Sequence, residues 1–278
     1  MTSLEDRIAR LPCWQGGSIS LEPLKGGLTN LSFVAIDGAR KFVVRCGEDI
    51  PVHHVFRDRE RAASRAAHVA GLSPEVVYAE PGITVLGFVD GRTFEEKDLG
   101  ANIARIVPLL KTCHREVGRH VRGAANAFWV FHVIRDYVAL IGADAKYRAL
   151  ADRFEAVQVP MPMVFGHHDL LPGNLMDDGK RLWLIDWEYG AFGTPLFDLA
   201  NLSSNGGFSA AQDSELLSAY FTGAMTADLR AAFDAMKAAS LLREALWAMV
   251  SDAHLKTPGV DYQAHAREYL RRLESVAT

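Results

Sequence analysis

Three oxygen-bearing side chains, Asp169, Asn174 and Asp186, occur at spacings that suit the transfer of a phosphoryl group. Asn174 follows Asp169 by five residues, and Asp186 follows Asn174 by twelve. A carboxylate can orient an attacking hydroxyl, while an amide and a second carboxylate can hold Mg²⁺ against the phosphates of ATP. These residues form the candidate catalytic set, with Asn174 and Asp186 as candidate metal ligands.

The residues between Asn174 and Asp186 have the pattern of a β-hairpin that would bring the set together. A turn signal at 177–180 separates two apolar stretches. If residues 178 and 179 form a two-residue turn, Asn174 lies opposite Trp183 and Asp186 lies opposite Leu171. The alternative is an ordinary hairpin with scattered solvated acids. The combination of all these pieces favours the site.

Bulk properties describe an ordinary water-soluble protein of one large domain or two lobes. The chain has 278 residues, of which 49% are apolar and 23% charged. The net charge is −4 with no basic block, which makes nucleic acid an unsuitable main partner. The partners we expect are small molecules, and both a monomer and a homodimer remain open.

The cysteines and the N-terminus indicate a cytoplasmic location. Cys13, Cys46 and Cys113 are few, odd in number and widely spaced, which argues for a reducing compartment. No apolar run is long enough to span a bilayer, so we expect no membrane insertion. The first residues lack the basic-then-apolar order of a signal peptide.

The order of predicted elements places a β-rich part before a helical part. The patterns predict strands at 19–24, 31–36, 41–46, 76–78 and 83–88, with a hairpin turn at 37–38 and one helix at 57–70. A short helix is predicted within 1–12. Further helices are predicted at 96–119, 130–156, 209–225, 226–256 and 261–276. A cleft between two such lobes is a usual place for a ligand.

Several segments together resemble the choline/ethanolamine kinase branch of the aminoglycoside-phosphotransferase-like, protein-kinase-fold superfamily. The resemblance covers most of the chain, from about residue 21 to residue 250. It implies an α+β, bilobal protein-kinase-like fold with a small antiparallel N-terminal lobe containing one long helix, residues 1–89, and a larger, mainly helical lobe, residues 90–278. The segments that carry it are Gly26–Asn30, Phe42–Arg45, Glu60 with 71–78, 166–174, 185–189 and 197–201.

The resemblance assigns roles to the candidate residues. Asp169 is implied to be the catalytic base or hydroxyl-orienting group. Arg45 takes the place of the phosphate-binding lysine of protein kinases, and Glu60 is the candidate partner that would hold it. Because arginines flank Glu60, ordinary local pairing is the competing interpretation. His167 and Asp198 are expected to brace the catalytic loop.

The nucleotide would be held by the first lobe. Gly26, Gly27, Thr29 and Asn30 lie between two predicted strands, where backbone amides can cover phosphates, although this signal alone is weak. Phe88 and Val89 occupy the expected hinge and would contact adenine through the backbone. ATP and Mg²⁺ are the cofactors that this assignment implies.

The acceptor would be held by aromatic faces and a carboxylate, because these groups suit an organic cation. The candidate substrate-binding residues are Trp187, Glu188, Tyr189, Glu244 and Trp247. Two alternatives stay open: Glu188 could instead support the metal through water, and Trp247 could simply pack between helices. Animal members of the family have a second aromatic where this chain has Glu244. A more acidic, less aromatic pocket would suit a primary amine such as ethanolamine better than choline.

The sequence thus predicts a kinase that moves the γ-phosphoryl group of ATP to the hydroxyl of choline or ethanolamine. One alternative keeps the reaction and changes the acceptor to an aminoglycoside, methylthioribose or homoserine. The other is a non-catalytic nucleotide-binding module. Retention of the whole catalytic set argues against the latter.

Overall fold

Five strands between residues 20 and 87 form an antiparallel sheet in the order β1-β2-β3-β5-β4, within the part of the chain that the structure describes. That part of this computed structural model comprises residues 3–15, 18–24, 30–223 and 225–276. Gly26, Gly27 and Thr29, expected to cover the phosphates, lie outside it. The strands are β1 (Ser20–Leu24), β2 (Leu31–Asp37), β3 (Arg40–Cys46), β4 (Val76–Glu80) and β5 (Ile83–Gly87).

Alternating burial fixes the register of the central strands, because every second side chain of a strand points to the same face. Phe33 and Ala35 of β2 are buried on the same face as Phe42 and Val44 of β3. Helix α1 (Leu4–Ala9) joins this core through Ile8. The predicted hairpin at 37–38 is confirmed, since Asp37 pairs with Arg40 across a two-residue connection.

Helix α2 (Arg57–Val69) packs its alanine face into the second, larger core of the molecule. It ends as the sequence predicts, because Gly71 adopts a left-handed conformation (φ 77°) and Leu72 N donates to Ala67 O (2.9 Å). This helix also carries Glu60, which contacts Arg45 of β3.

The remaining helices form most of the rest of the described chain. Two predicted helices are each divided. The predicted helix 96–119 is interrupted at Asn102, and the predicted helix 130–156 ends at Gly142, which adopts a left-handed conformation before Asp144 caps the next helix. The helices are α3 (Glu96–Ala101), α4 (Ile103–Thr112) continued by a π-helical segment (Cys113–Val117), α5 (Gly118–His120), α6 (Val130–Ile141), α7 (Ala145–Ala156), α8 (Pro195–Asn205), α9 (Ala210–Tyr220), α10 (Ala227–His254) and α11 (Tyr262–Val276).

Helix α8 is absent from the sequence-based prediction. All of its residues are buried, so the sequence lacks the polar stripe that marks a surface helix. It is central to the site because it carries Asp198 and Asn201.

Short strands hold the segment that contains Asp169. Strands β7 (Val164–Gly166) and β10 (Ala191–Gly193) pair with each other, as do β6 (Arg92–Thr93) and β8 (Leu175–Asp177), and β8 pairs in turn with β9 (Leu182–Leu184). The segment 167–174 connects β7 to β8. The α+β, protein-kinase-like fold class expected from the sequence is confirmed.

The register predicted for the β8–β9 hairpin is wrong. Met176, and not Asn174, lies opposite Trp183. The turn is centred on residues 179–180, because the Asp178 carboxylate accepts the backbone N–H groups of Lys180 and Arg181 and Asp178 N donates to Arg181 O. Moving the turn by one residue shifts every pair by two, which leaves each side chain on its predicted face.

Candidate active site

A cavity of about 700 Å³ lies against both the sheet and the helical part of the molecule. The sheet contributes Arg45 and the segment after β5, and the helical part contributes the 169–189 region and helices α10 and α11. The candidate residues that line it are Asn30, Arg45, Phe88, Val89, Asp169, Asn174, Asp186, Glu188, Tyr189, Glu244 and Trp247. The structure therefore brings together residues that are up to about 200 positions apart in the chain.

Asp198 holds the backbone of the loop that presents Asp169. Its carboxylate accepts the backbone N–H groups of His167 (2.8 Å) and His168 (2.7 Å), and His114 Nε2 hydrogen-bonds to it at 2.8 Å. Burial alone would raise the pKa of Asp198, but the His114 hydrogen bond and the neighbouring imidazoles hold it well below its usual range. The bracing role predicted for Asp198 is confirmed.

Two histidines give the loop its shape. His168 has a left-handed backbone (φ 62°), a conformation that non-glycine residues rarely adopt, and its ring stacks on Phe128. His167 Nε2 hydrogen-bonds to Ile185 O (2.9 Å), which ties the Asp169 loop to the segment carrying Asp186. The bracing role predicted for His167 is thus confirmed.

Asp169 is buried at the end of this loop and is partly surrounded by polar groups. Asn174 Nδ2 donates both to its backbone oxygen (2.9 Å) and to Oδ2 (3.1 Å). Burial raises the pKa of Asp169 well above its usual value, against the opposing effect of the Arg243 guanidinium, whose Nη1 lies 3.6 Å from Oδ1. The carboxyl is thereby suited to receive a proton.

Asp186 pairs directly with Arg45 on the wall of the cavity. It has a left-handed backbone (φ 66°), and its Oδ1 lies 2.9 Å from Arg45 Nη2. Arg45 Nη1 lies 2.9 Å from Glu60 Oε1, so the predicted pairing of Arg45 with Glu60 is present. The competing local pairing is present as well, because Arg57 Nη1 donates to Glu60 Oε2 (2.7 Å). Glu60 bridges the two arginines.

Glu188 extends this network of charges. Its Oε2 lies 3.3 Å from Arg57 Nη1. Burial, with a further contribution from Asp186, raises the pKa of Glu188 to about 7, while Arg45 opposes the shift. Arg57, which the sequence suggested only as a competitor for Glu60, therefore joins Glu60 to Glu188.

The far end of the cavity contains an arginine that the sequence interpretation missed. Arg243 lies in α10 and contacts the Glu244 carboxylate, and its Cζ lies 4.3 Å from the centre of the Tyr189 ring. Trp247 Nε1 donates to Tyr189 Oη (3.2 Å), and His53 stacks on the Trp247 ring at 5.0 Å. A cation next to an acid inside the largely apolar stretch 238–250 of this helix was the available signal.

Trp187 is the candidate that the structure places elsewhere. Its side chain is buried against the His167 ring, and its indole N–H donates to Ser73 Oγ (2.6 Å). It does not line the cavity, so its assignment to the substrate pocket is corrected. Residues 187–190 form a turn that is closed by a hydrogen bond from Gly190 N to Trp187 O (2.9 Å), and Trp187 lies in the core.

The residues present are chemically suited to Mg²⁺. Asn174 and Asp186 offer amide and carboxylate oxygens on the wall of one cavity, which are the hard donors that this ion prefers.

Among the described residues, no helix is both long enough and apolar enough to cross a membrane.

The fold and the site together define a small-molecule phosphotransferase of the protein-kinase-like type. The family model described as "Phosphotransferase enzyme family" matches residues 20–238. The crystal structure of a choline/ethanolamine kinase family protein from Mesorhizobium loti is 30% identical, with a TM-score of 0.80, and the match covers 99% of this chain and 95% of that one. The chain belongs to the phosphotransferase enzyme family, in its choline/ethanolamine kinase-like branch.

Two further relatives are similar over shorter or less identical stretches. Protein LicA of Haemophilus influenzae is 28% identical over 212 residues, which are 70% of this chain and 61% of that protein. This chain thus spans less than two thirds of that relative. A LicA crystal structure in complex with AMP is 21% identical, with a TM-score of 0.71 and 93% of each chain covered. At that identity it supports the fold alone.

Proposed function

We propose that this protein transfers the γ-phosphoryl group of ATP to the hydroxyl of a small amino alcohol, choline or ethanolamine. The single observation that carries the proposal is that Asp169, Asn174, Asp186 and Arg45 line one cavity, with Glu60 holding Arg45 from behind the cavity wall. Its volume of about 700 Å³ is in the range of sites for ligands of drug size.

The nucleotide is assigned to the sheet side of the cavity. Phe88 and Val89 follow β5 and offer backbone groups to adenine, while Arg45 offers a fixed guanidinium to phosphate oxygens. Burial by itself would lower the pKa of Arg45, but the carboxylates of Asp186, Glu60 and Glu188 have the larger combined effect. The net result is a raised pKa, so Arg45 stays protonated. LicA, which shares this fold, forms a complex with AMP.

Asp169 is assigned to the acceptor hydroxyl. In the proposed reaction the hydroxyl proton passes to the Asp169 carboxylate and the hydroxyl oxygen forms a bond to the γ-phosphorus. The bond from that phosphorus to the β–γ bridging oxygen breaks, and ADP leaves with the electron pair. Asn174 fixes the Asp169 carboxylate through its 3.1 Å hydrogen bond.

Asn174 and Asp186 are assigned as the protein ligands of Mg²⁺. When bound, this ion supplies positive charge that neutralises the triphosphate. Arg45 holds Asp186 in place through its 2.9 Å contact. The left-handed backbone of Asp186 turns its carboxylate toward Arg45 and the cavity.

The acceptor is assigned to the end of the cavity formed by Tyr189, Glu244 and Trp247, with Glu188 beside it. Of the two amino alcohols, the primary amine is favoured. A trimethylammonium group is held best by aromatic faces, and Arg243 on one face of Tyr189 and His53 on one face of Trp247 reduce the aromatic surface that is left for it.

Two broader statements belong to the same proposal. The lobe boundary is placed between residues 89 and 90, at the end of the segment that follows β5. The location is placed in the cytoplasm, in keeping with Cys13, Cys46 and Cys113 being free thiols.

The test compares the wild type with Asp169→Asn in the presence of ATP, Mg²⁺ and a panel of alcohols. We expect wild-type protein to phosphorylate ethanolamine or choline. We expect Asp169→Asn to lower kcat by about 10²- to 10⁴-fold, the usual contribution of a general base, with nucleotide affinity retained. Asp136→Asn, at an exposed pair with His54, is the matched control. If both amino alcohols are inert, or if the two variants behave alike, the proposed function is wrong.

A further inference from the structure

Arg243 is a fully buried cation on the wall of the cavity, and only part of its hydrogen-bonding capacity is used. Its side chain is 1% exposed. Nη1 contacts the Glu244 carboxylate and lies 3.6 Å from Asp169 Oδ1. One ring face of Tyr189 packs against the guanidinium. The arginine is thus held in place from two sides at the acceptor end of the site.

The opposite edge of the same guanidinium has nothing to bind within the described protein. Both Nε and Nη2 are buried, and neither has a hydrogen-bond partner in residues 3–15, 18–24, 30–223 and 225–276. Buried donors left without an acceptor are costly, and native structures contain few of them. The Nε–H and Nη2–H bonds of an arginine point in parallel and match two oxygens of one carboxylate or phosphate group.

We propose that the Nε/Nη2 edge of Arg243 is an oxyanion subsite for the acceptor. It binds either the phosphoryl oxygens that the acceptor gains in the reaction or a carboxylate that the amino alcohol already carries. This inference rests on the proposed function, because it concerns the same cavity and the same acceptor.

The local charges restrict the ligand further. Asp169 and Glu244 place two carboxylates around one guanidinium, so a simple anion would add to an excess of negative charge. A ligand that carries both an ammonium and an oxyanion brings its own counter-charge. His265 Nε2 is a second buried atom on this wall without a partner among the described residues, and it can accept an ammonium N–H. The class is therefore zwitterionic: an amino-alcohol phosphate or a hydroxy amino acid.

The experiment measures binding by calorimetry for the wild type and Arg243→Lys, with phosphoethanolamine, serine and ethanolamine as probes. Lysine keeps a charge for Glu244 but lacks the parallel pair of donors. We expect wild-type protein to bind at least one oxyanion-bearing probe about tenfold or more tightly than ethanolamine. Arg243→Lys should weaken binding of that probe by about 10- to 100-fold, the effect of losing one of two charge-assisted hydrogen bonds, with ethanolamine affected less than about threefold.

The two oxyanion-bearing probes, phosphoethanolamine and serine, distinguish the source of the oxyanion. A loss for phosphoethanolamine identifies the transferred phosphoryl oxygens, and a loss for serine identifies an acceptor carboxylate. Equal affinities of the wild type and Arg243→Lys, or an equal loss for ethanolamine, would overturn the subsite. Arg135→Lys, at a partly exposed pair with Asp152, is the control.

Folding is controlled by a second variant. Because an unpaired buried carboxylate is destabilising, Arg243→Met is combined with Glu244→Gln. We expect this double variant to lose the preference for the oxyanion-bearing probe over ethanolamine, and an undiminished preference would overturn the subsite. A failure of the proposed function gives a different result from a failure of the subsite: the wild type would then transfer no phosphoryl group from ATP to any amino alcohol.

Discussion

Replacing Asp198 by asparagine tests how the buried framework positions the catalytic loop. Asp198 is fully buried, and three donors point at its two oxygens: His168 N at Oδ1, and His167 N together with His114 Nε2 at Oδ2. Asparagine has the same shape but offers only one acceptor oxygen. In either orientation, its amide N–H₂ therefore faces at least one of these donors.

The size of the effect follows from that count. A buried donor left without an acceptor costs about 1–3 kcal/mol, and a hydrogen bond to a neutral oxygen is about 1 kcal/mol weaker than one to a carboxylate. Asp198→Asn should therefore lower the free energy of unfolding by about 2–4 kcal/mol. Because the same bonds fix His167 and His168, Asp169 should also be displaced, and a displacement near 1 Å can lower the rate about 10²-fold.

The assay combines urea unfolding with steady-state kinetics at a temperature where the variant is fully folded. Asp213→Asn is the matched control, because Asp213 is also a buried carboxylate, paired with Lys237 at 2.8 Å, but does not line the cavity. We expect the control to lose stability while keeping its kcat. The positioning role would be refuted if folded Asp198→Asn kept the wild-type kcat, or if Asp213→Asn lost kcat to the same extent.

The remaining predictions concern stability and nucleotide binding. Burial lowers the pKa of His53 to about 3 in the folded protein. Between pH 6.5 and pH 3 the unfolded chain therefore binds one proton more than the folded chain, and His53 lowers the stability as the pH falls. The advantage of the wild type over His53→Gln should thus shrink by about 2 kcal/mol from pH 7 to pH 5 in urea titrations, and a constant difference would contradict this sign. Glu60→Gln leaves Arg45 and Arg57 with weaker partners, and we expect KM for ATP to rise about tenfold with a smaller change in kcat. An unchanged KM would show that the pair does not hold the nucleotide. Gly190→Ala places a Cβ 2.9 Å from Ala63 Cβ. We expect the free energy of unfolding, measured by thermal unfolding, to fall by about 1–3 kcal/mol, the usual effect of overpacking.

Local elements of this protein are predictable because their causes are local. The β2–β3 hairpin follows from alternating apolar residues around Gly38, and α2 follows from its alanines and the stop at Gly71. The types and spacing of Asp169, Asn174 and Asp186 predicted a common site, and the three residues do line one cavity. The order of the predicted strands and helices placed a β-rich part before a helical part, as the structure has them.

Other features depended on contacts that are not written in any short stretch of sequence. The hairpin register turned on which N–H groups the Asp178 carboxylate accepts, and α8 was hidden because it is buried on every side. Trp187 was expected in the pocket and lies in the core. In each case the packing of the surroundings selected one of several locally acceptable arrangements.

The sequence by itself determined the groups available for the proposed reaction: the carboxylate of Asp169, the oxygens of Asn174 and Asp186, and the guanidinium of Arg45. Only the tertiary structure decided which charges meet, because the pair of Arg45 and Asp186 joins positions 141 residues apart. It also decided that Arg243 binds Glu244 through one edge of its guanidinium and has no partner among the described residues at the other edge. Burial makes such an edge consequential, since a polar group removed from water must find its partner in the protein or in a ligand.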